Sequence, residues 1–391
     1  MGQTNTSERL LIILFLGILL SVPFLQGVVE LRRGDRLQAL DIFRERPSSA
    51  NLRRYERGLE DESVVARASR PLAQYGRFAW FKDGGEKAVL GEDGWLFYGP
   101  GLDYFTQKRL PAKGQTTAAD ALRAIINFRE QLAARGIELL VVPAPNKESI
   151  YPEKLSRRGS LPPGMLSDET RQLVSGLQRA GVQVLDLFEL FAGTRLRSDS
   201  INLYLAQDSH WSPAGLKLAA EAVAQRLIDR NWVRAGSVHF DIRKRTVNRA
   251  GDIVHMLRVP RLERDAVRPI LCEQVVRADT HELYQDQADS EVLVLGDSFL
   301  RIFQQDDPGS AGFVAHLARA LGQPVSSIIN DGGASTLVRQ ELNRRPKLLL
   351  KKKVVVWEFV ERDIRLGTEG WQKVPLPESV PSEAAKSAAG K

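Results

Sequence analysis

The strongest constraint on the fold is a repeated alternation of helix-like segments with short, continuously apolar runs. Periodic helices are predicted at 117–135, 168–180 and 312–321, and another ends near Arg345. Apolar strands are predicted at 137–142, 182–187, 291–295, 325–329 and 353–359. Strands that are apolar on both faces are typical of a parallel sheet covered by helices on each side. The sequence therefore predicts an α/β core, with Pro143 ending the first strand.

Segments outside this alternation indicate the rest of the organisation. Residues 34–84 are rich in Arg and Glu and carry apolar residues at helical spacing, which predicts a helical stalk or linker. The core is expected over 85–373, with an insertion at about 233–290 where the rhythm breaks. Residues 374–391 contain Pro, Ser, Ala and Lys, which predicts a disordered tail.

The N-terminal segment, residues 1–33, contains a run of 20 uncharged residues at 10–29. At a rise of 1.5 Å per residue this run reaches about 30 Å, the thickness of a bilayer core. Pro23 and Gln26 weaken its end, so a cleaved signal peptide is the alternative, but no small-x-small cleavage site follows. We therefore expect an uncleaved single-pass anchor.

Orientation is not settled by the flanking charges. Arg9 precedes the run, whereas Arg32, Arg33 and Arg36 follow it. The positive-inside rule alone would place the bulk of the chain in the cytoplasm. The chemistry of the core, described below, favours the opposite side.

Composition excludes several classes of function. The net charge is +7, but acidic and basic residues are interspersed, which argues against a nucleic-acid-binding patch. Cys272 is the only cysteine, so neither an internal disulfide nor a cysteine metal cluster can form. Because no phosphate-binding glycine loop occurs, no cofactor is expected.

A candidate nucleophile follows one of the apolar strands. The motif is Gly296-Asp297-Ser298-Phe299, directly after VLVL. Glycine permits a tight turn there, and the start of the next helix offers free N–H groups to a developing oxyanion. An ordinary N-capping turn is the alternative interpretation. We interpret Ser298 as the nucleophile.

A candidate base lies in Asp208-Ser209-His210-Trp211, just before Ser212-Pro213. In an extended segment, residues two apart project to the same side, so Asp208 would orient His210 and stabilise its imidazolium. His210 would take the proton of Ser298 and later give it to the leaving group. The alternatives are a surface histidine near a helix cap and a metal site, but no further ligand has a recognisable spacing, so we expect no metal.

Seven short motifs occur in the order found in one protein family. They are GEDGWLFY (91–98), VPAPNKESIYPEKL (142–155), DSHWSPAG (208–215), GDIVHML (251–257), VLGDSF (294–299), NDGGAS (330–335) and VVVWEFVERDI (354–364). Together they resemble the SGNH hydrolase-like proteins of alginate O-acetylation. The resemblance implies a parallel sheet flanked by helices, with Asp208, His210 and Ser298 as the catalytic residues.

The resemblance also implies partners and further site residues. It implies a periplasmic protein held in the inner membrane, which receives acetyl groups through a membrane-bound O-acyltransferase and passes them to a polysaccharide. It places NDGGAS at the cleft, where Asn330, Gly332 and Gly333 are candidate oxyanion donors. Asn146 and Lys147 are candidate substrate contacts, with a solvent-facing turn as the alternative. Trp95, Phe97 and Trp357 are expected in the core.

Three functions fit these features. The first is acetyl transfer to a secreted polysaccharide through an acetyl-Ser298 intermediate. The second is a carbohydrate esterase that uses the same residues with water as acceptor. The third is a non-catalytic assembly factor of an exopolysaccharide machine.

Overall fold

The computed structural model describes residues 6–43, 46, 48–106, 116–156, 162–164, 166–198 and 200–376. Contacts divide the chain into two compact units. One contains the described residues up to Gly84 together with 258–260, and the other contains the remaining residues from Gly85 onward.

The first unit is helical. Its helices are α1 Thr6–Arg33, α2 Ser49–Glu62 and α3 Val64–Phe81, with a 3₁₀ helix at Gln38–Phe43. Within α1, Leu10–Arg33 is long and apolar enough to cross a membrane, and most of its large apolar side chains, such as Leu14 and Phe24, are exposed. Pro23 lies inside this helix without ending it. An apolar N-terminal helix suited to a membrane anchor is therefore present.

The second unit is built on a five-stranded parallel sheet. The strands of this unit are β1 Ala88–Leu90, β2 Leu96–Tyr98, β3 Glu138–Ala144, β4 Gln183–Val184, β5 Phe240–Arg249, β6 Arg268–Arg277, β7 Val292–Gly296, β8 Ser326–Ile329 and β9 Val354–Val360. The main sheet has the order β4-β3-β9-β7-β8. All its pairings are parallel, as predicted.

The helices of this unit are mostly short. They are α4 Gly99–Thr106, α5 Ala118–Ala133, α6 Lys147–Ile150, α7 Pro152–Leu155, α8 Asp168–Arg179, α9 Leu187–Arg197, α10 Pro213–Asp229, α11 Asp252–Met256, α12 Pro260–Asp265, α13 Ser298–Arg301, α14 Phe313–Leu321, α15 Leu337–Arg344 and α16 Asp363–Leu366. Short 3₁₀ helices lie at Glu92–Gly94 and Pro346–Leu349. The predicted helices at 117–135, 168–180 and 312–321 correspond to α5, α8 and α14.

Both faces of the sheet are buried, as the apolar strands predict. In β9, Val354 and Val356 pack into one apolar cluster, whereas Val355 and Trp357 pack into another. Alternate residues of a strand point to opposite faces, so each cluster lies on one face of the sheet. This is the helix-covered α/β architecture expected from the sequence.

The prediction that Pro143 ends the first strand is wrong. Strand β3 continues to Ala144, and Pro143 pairs with Phe359 of β9. On the other side, β4 ends at Val184, so no neighbour needs an N–H from residue 143. A proline is tolerated in a strand at such an edge position.

Residues 233–290 contain an antiparallel pair, β5 with β6, and the helices α11 and α12.

The predicted tail begins later than residue 374, because Val374 and Leu376 are buried and Leu376 donates its N–H to Gln131. The remaining tail residues, 377–391, lie outside the described residues.

Candidate active site

Ser298 occupies the first position of α13, directly after β7. The Asp297 carboxylate caps this helix by accepting a hydrogen bond from the Phe299 N–H at 2.9 Å. Gly296 is required, since a Cβ there would lie 2.5 Å from Leu300 Cδ1 and would also collide with Glu358. Asp297 is buried, whereas Ser298 is half-buried. The tight turn thus presents the hydroxyl of Ser298 while it hides its neighbours.

Asp208 and His210 share a turn rather than an extended segment. The carboxylate oxygen Oδ1 of Asp208 accepts the His210 N–H at 3.1 Å, which closes an Asx-type turn. The same oxygen accepts a hydrogen bond from His210 Nδ1 at 2.7 Å. The predicted pairing therefore occurs, but the turn, and not the alternation of a strand, brings the two side chains together.

The structure brings these residues to Ser298. His210 Nε2 lies 2.8 Å from Ser298 Oγ. Because Nδ1 donates to a carboxylate, Nε2 is the ring nitrogen left to accept the hydroxyl proton. Asp208, His210 and Ser298 thus form a continuous hydrogen-bonded chain.

Aromatic packing fixes the loop that contains His210 against the turn that contains Ser298. The Trp211 indole donates to the Phe299 carbonyl oxygen at 2.9 Å, and its ring contacts Phe299 edge-on. Trp211 also stacks on Phe313, and the His210 ring packs on Phe299. At the same time Ser212 caps α10, with Pro213 in its first turn, so the predicted helix cap is present beside the histidine.

Two residues that the sequence analysis missed support Asp208. Arg249 Nε and Nη2 each donate to Asp208 Oδ2 at 3.3 Å, and the Asp252 N–H donates to the same oxygen at 3.1 Å. The Asp252 carboxylate in turn accepts the N–H and hydroxyl of Ser209 at 2.7 and 2.6 Å. Gly251 permits this approach, because a Cβ there would collide with the Gln207 carbonyl. The motif GDIVHML, which contains Asp252, is part of the family resemblance, but the sequence alone gave Asp252 no role.

Asp208 and His210 each stabilise the charged form of the other. Burial alone would raise the pKa of Asp208, but His210 and Arg249 outweigh it and hold that pKa well below its usual range. Burial alone would lower the pKa of His210, yet the Asp208 carboxylate raises it overall. The site is therefore arranged to favour an imidazolium beside an aspartate, as a general base requires.

Asp208, His210 and Asp252 offer ligand atoms that lie within 4.8 Å of one another. Each oxygen of Asp208, however, already accepts hydrogen bonds, from His210 on one side and from Arg249 and Asp252 on the other. A carboxylate surrounded by donors and by an arginine is suited to orienting a histidine, and its donor set does not fit a cation.

Lys147 does not face a substrate or solvent, contrary to the prediction. It is 3% exposed, and its Nζ lies within 3.0 Å of four carbonyl oxygens. These belong to Leu96, Leu205, Ala206 and Asp208. Burial lowers the pKa of Lys147 to about 7. The Lys147 side chain therefore links the loop of Asp208 to β2 through hydrogen bonds to backbone carbonyls of both.

Asn146 is also buried, at 1% exposure, rather than on a solvent-facing turn. Its N–H donates to Glu361 at 3.0 Å, and its Oδ1 accepts the Arg362 N–H at 3.3 Å. Its Nδ2 has no partner among the described residues. Asn146 thus joins the end of β3 to the end of β9.

The loop after β8 lies beside Ser298, since β8 pairs with β7 and the Asn330 N–H donates to the Gly296 carbonyl at 3.0 Å. The prediction that Gly333 is an oxyanion donor is wrong, because its N–H donates to the Asn330 carbonyl at 2.9 Å. Gly332 is exposed and has a positive φ of 63°. The N–H groups of Ser298 and Gly332 have no acceptor in the described part of the chain.

Buried carboxyl groups lie beneath the serine turn. Glu358 accepts the Asp297 N–H at 3.2 Å, and burial followed by the charge of Asp297 raises its pKa well above the usual value. Burial and Asp297 also raise the pKa of Asp363 to about 8. Because Glu358 and Asp363 are buried, they are not open to a substrate.

The aromatic residues Trp95, Phe97 and Trp357 are buried in the core, as predicted.

A parallel sheet with a serine at the exit of one strand, hydrogen-bonded to a histidine that an aspartate orients, both from a loop earlier in the chain, is an SGNH hydrolase-like arrangement. Within that class, the chain belongs to the family described as "SGNH hydrolase-like domain, acetyltransferase AlgX", whose model matches residues 88–361.

Named relatives are similar over different shares of the chain. The probable alginate O-acetylase AlgJ of Pseudomonas syringae pv. tomato is 24% identical over 310 residues, which cover 78% of this chain and 75% of the relative. The protein of the same name from Pseudomonas aeruginosa is 30% identical over 164 residues, which cover 40% of this chain and 38% of the relative.

Two solved structures share the fold. The O-acetyltransferase domain of Pseudomonas putida AlgJ superposes with a TM-score of 0.56 at 23% identity, covering 76% of this chain and 98% of that domain. Pseudomonas aeruginosa AlgX superposes with a TM-score of 0.50 at 18% identity, covering 70% of this chain and 62% of that protein. At these identities the two structures support the fold alone.

Proposed function

We propose that this protein is an O-acetyltransferase that acetylates hydroxyl groups of a secreted polysaccharide through an acetyl-Ser298 intermediate. The hydrogen-bonded chain from Asp208 through His210 to Ser298 carries the proposal. Relatives named alginate O-acetylases support the choice of acetyl as the group and of a polysaccharide as the acceptor.

In the first half-reaction, Ser298 Oγ attacks the carbonyl carbon of an acetyl donor while its proton moves to His210 Nε2. The Asp208 carboxylate stabilises the imidazolium through Nδ1. The resulting oxyanion is bound by the N–H groups of Ser298 and Gly332. When the bond to the donor breaks, His210 returns its proton to the leaving group and acetyl-Ser298 remains.

In the second half-reaction, a polysaccharide hydroxyl attacks the acetyl carbon and gives its proton to His210. The bond between Ser298 Oγ and the acetyl group then breaks, and His210 returns the proton to Ser298. Water in place of the sugar would give an esterase with the same residues. The acceptor therefore decides between the two activities.

The proposed location is the outer face of the inner membrane, with α1 as a single-pass anchor and the α/β unit in the periplasm. A secreted polysaccharide is available there, and a membrane-bound O-acyltransferase is the proposed acetyl supplier. A reporter fused after Lys391 should be active outside the cytoplasm; activity confined to the cytoplasm would contradict this location.

The activity is tested with purified full-length protein, an activated acetyl ester and a defined oligosaccharide. The expected result is acetylated oligosaccharide with wild type and none with Ser298→Ala, while the control Ser327→Ala retains activity. Ser327 is a suitable control because it is half-buried on β8 and donates to Asp286 rather than to the site. Sustained acetate release without sugar product would establish an esterase, and no product above the protein-free background from wild type would favour the assembly-factor function.

A further inference from the structure

Helix α3 of the first unit carries apolar residues along an exposed side. They stand at positions i, i+3, i+4, i+7 and i+8, and are Leu72, Tyr75, Gly76, Ala79 and Trp80. Residues at this spacing share one side of a helix. Leu72 is 74% exposed and Trp80 is 82% exposed. We call these five residues the α3 stripe.

The more polar side of α3 is the more buried one. Arg70 and Gln74 lie on the side opposite to Leu72 and are half-buried. They do so in a unit where α3 contacts both α1 and α2. In a water-soluble helix the apolar side packs against its neighbours and the polar side faces solvent. The reverse arrangement in α3 therefore indicates that its outward side meets an apolar environment.

Helix α3 begins at the level where the apolar run of α1 ends. The N–H of Val64, the first residue of α3, donates to Gln26 Oε1 at 2.8 Å. Gln26 Nε2 donates in turn to Glu30 at 2.7 Å, and Glu30 is the first charged residue after the run 10–29. In the proposed anchor, this level of α1 is the boundary between the bilayer core and water. The start of α3 is thus fixed at the membrane surface.

The charges of α3 suit the same place. Its charged residues are Arg67, Arg70 and Arg77, and no acidic residue occurs from Val64 to Phe81. Helix α2 of the same unit differs, because it carries residues of both signs. Arginines are attracted to anionic lipid headgroups, and tryptophan and tyrosine are enriched at the boundary between lipid and water. A basic helix with an aromatic and apolar side is typical of one that lies in that boundary.

We infer that the α3 stripe lies in the headgroup region of the bilayer and gives the protein a second membrane contact beside the span of α1. The cover of this surface is the lipid itself. A single span leaves the helical unit free to rotate about its own axis, whereas a helix held in the boundary fixes which side of the unit faces the membrane. The inference takes the span of α1 from the proposed location and needs no acetyl chemistry.

Spin labels test the position of the stripe in full-length protein, reconstituted into vesicles of phosphatidylethanolamine and phosphatidylglycerol. Cys272→Ala removes the one native cysteine, and a nitroxide is attached at Leu72→Cys or at the matched control Leu52→Cys. Leu52 is also an exposed leucine of the helical unit, but it belongs to α2. The Leu72 label should be more accessible to oxygen, which concentrates in lipid, than to a water-soluble nickel complex. The order should be reversed for the Leu52 label.

Tryptophan fluorescence gives a second measurement that requires no introduced cysteine. Lipids brominated on their acyl chains quench the tryptophans that reach the bilayer. Four of the five tryptophans other than Trp80 are buried. Trp80→Phe should therefore remove most of the quenching. Quenching that is unchanged in Trp80→Phe would contradict the inference.

Alkaline extraction of the vesicles separates this inference from the proposed anchor. If the protein resists extraction but the Leu72 label is more accessible to nickel, the anchor stands, the lipid contact of α3 is wrong, and the stripe is left to a protein partner. If alkali removes the protein but the Leu72 label alone contacts lipid, the span of α1 fails while the surface on α3 stands. Lipid contact at both leucines would show no preference for the stripe and would also overturn the inference.

Discussion

The ends of β3 and β7 lie in one sheet, on either side of β9, and both carry polar residues at the carboxyl end of a parallel strand. At the end of β7, Ser298 is half-buried and its hydroxyl contacts His210. At the end of β3, Asn146 and Lys147 are buried, and the Lys147 ammonium is surrounded by four carbonyl oxygens. One strand end thus presents a reactive group, whereas the other supports the loop that carries its base.

The difference comes from what covers each strand end. Residues 205–208 pass over Lys147, and three of their carbonyls accept hydrogen bonds from it. Ser298, in contrast, stays partly exposed within the described part of the chain, and Gly296 permits the tight turn that leads into α13. Strand-end position therefore indicates where polar groups collect, but the covering loop decides which of them a substrate can reach.

The largest effect on the reactive side is expected from Asp208→Asn. An isosteric amide cannot stabilise the imidazolium or fix its tautomer, so the rate of acetyl-enzyme formation should fall by about 10⁴-fold. Asp252→Asn, which changes a carboxylate that caps Ser209, should cost far less. Stopped-flow measurement with an activated ester gives both rates. Equal rates for wild type and Asp208→Asn would remove Asp208 from the proposed mechanism.

On the supporting side, Lys147→Met should lower the free energy of unfolding by about 3 kcal/mol, because buried carbonyls lose their donor. Lys154→Met is the control, since Lys154 forms an ion pair with Asp93 near the surface and should change stability by less than about 1 kcal/mol. Denaturant unfolding measures both. If Lys147→Met is as stable as wild type but fails to bind the acceptor, Lys147 contacts substrate as the sequence suggested.

A further effect is expected in the pH dependence of stability. Asp363 has a pKa of about 8 in the folded chain, above its unfolded value of about 4. A raised folded pKa means that the stabilising contribution is complete below the unfolded value and is lost as pH rises through the folded value. Stability should therefore decline between about pH 4 and 8, and Asp363→Asn should flatten that decline. An unchanged slope would show that Asp363 is ionised in the fold.

Sequence alone predicted the parallel sheet, since continuously apolar strands such as β7 and β9 leave no polar face. It also predicted that Asp208, His210 and Ser298 act together, from the Asp-x-His spacing, the serine at the exit of β7 and the resemblance of their motifs to one family. Arg249 and Asp252 were missed, since their contacts with Asp208 depend on a loop from the antiparallel β5–β6 region. The burial of Lys147 was missed for a different reason: its partners are backbone carbonyls, which leave no pattern of side chains.

The central claim is tested most directly by the intact mass of the protein after exposure to an activated acetyl ester, with wild type beside Ser298→Ala. We expect one added acetyl group on wild type, located to the peptide that contains Ser298, and none on the variant. Ester turnover measured in the same sample shows whether rapid deacylation hides an adduct. An adduct of equal size on Ser298→Ala, or no adduct and no turnover with wild type, would contradict the acetyl-Ser298 mechanism.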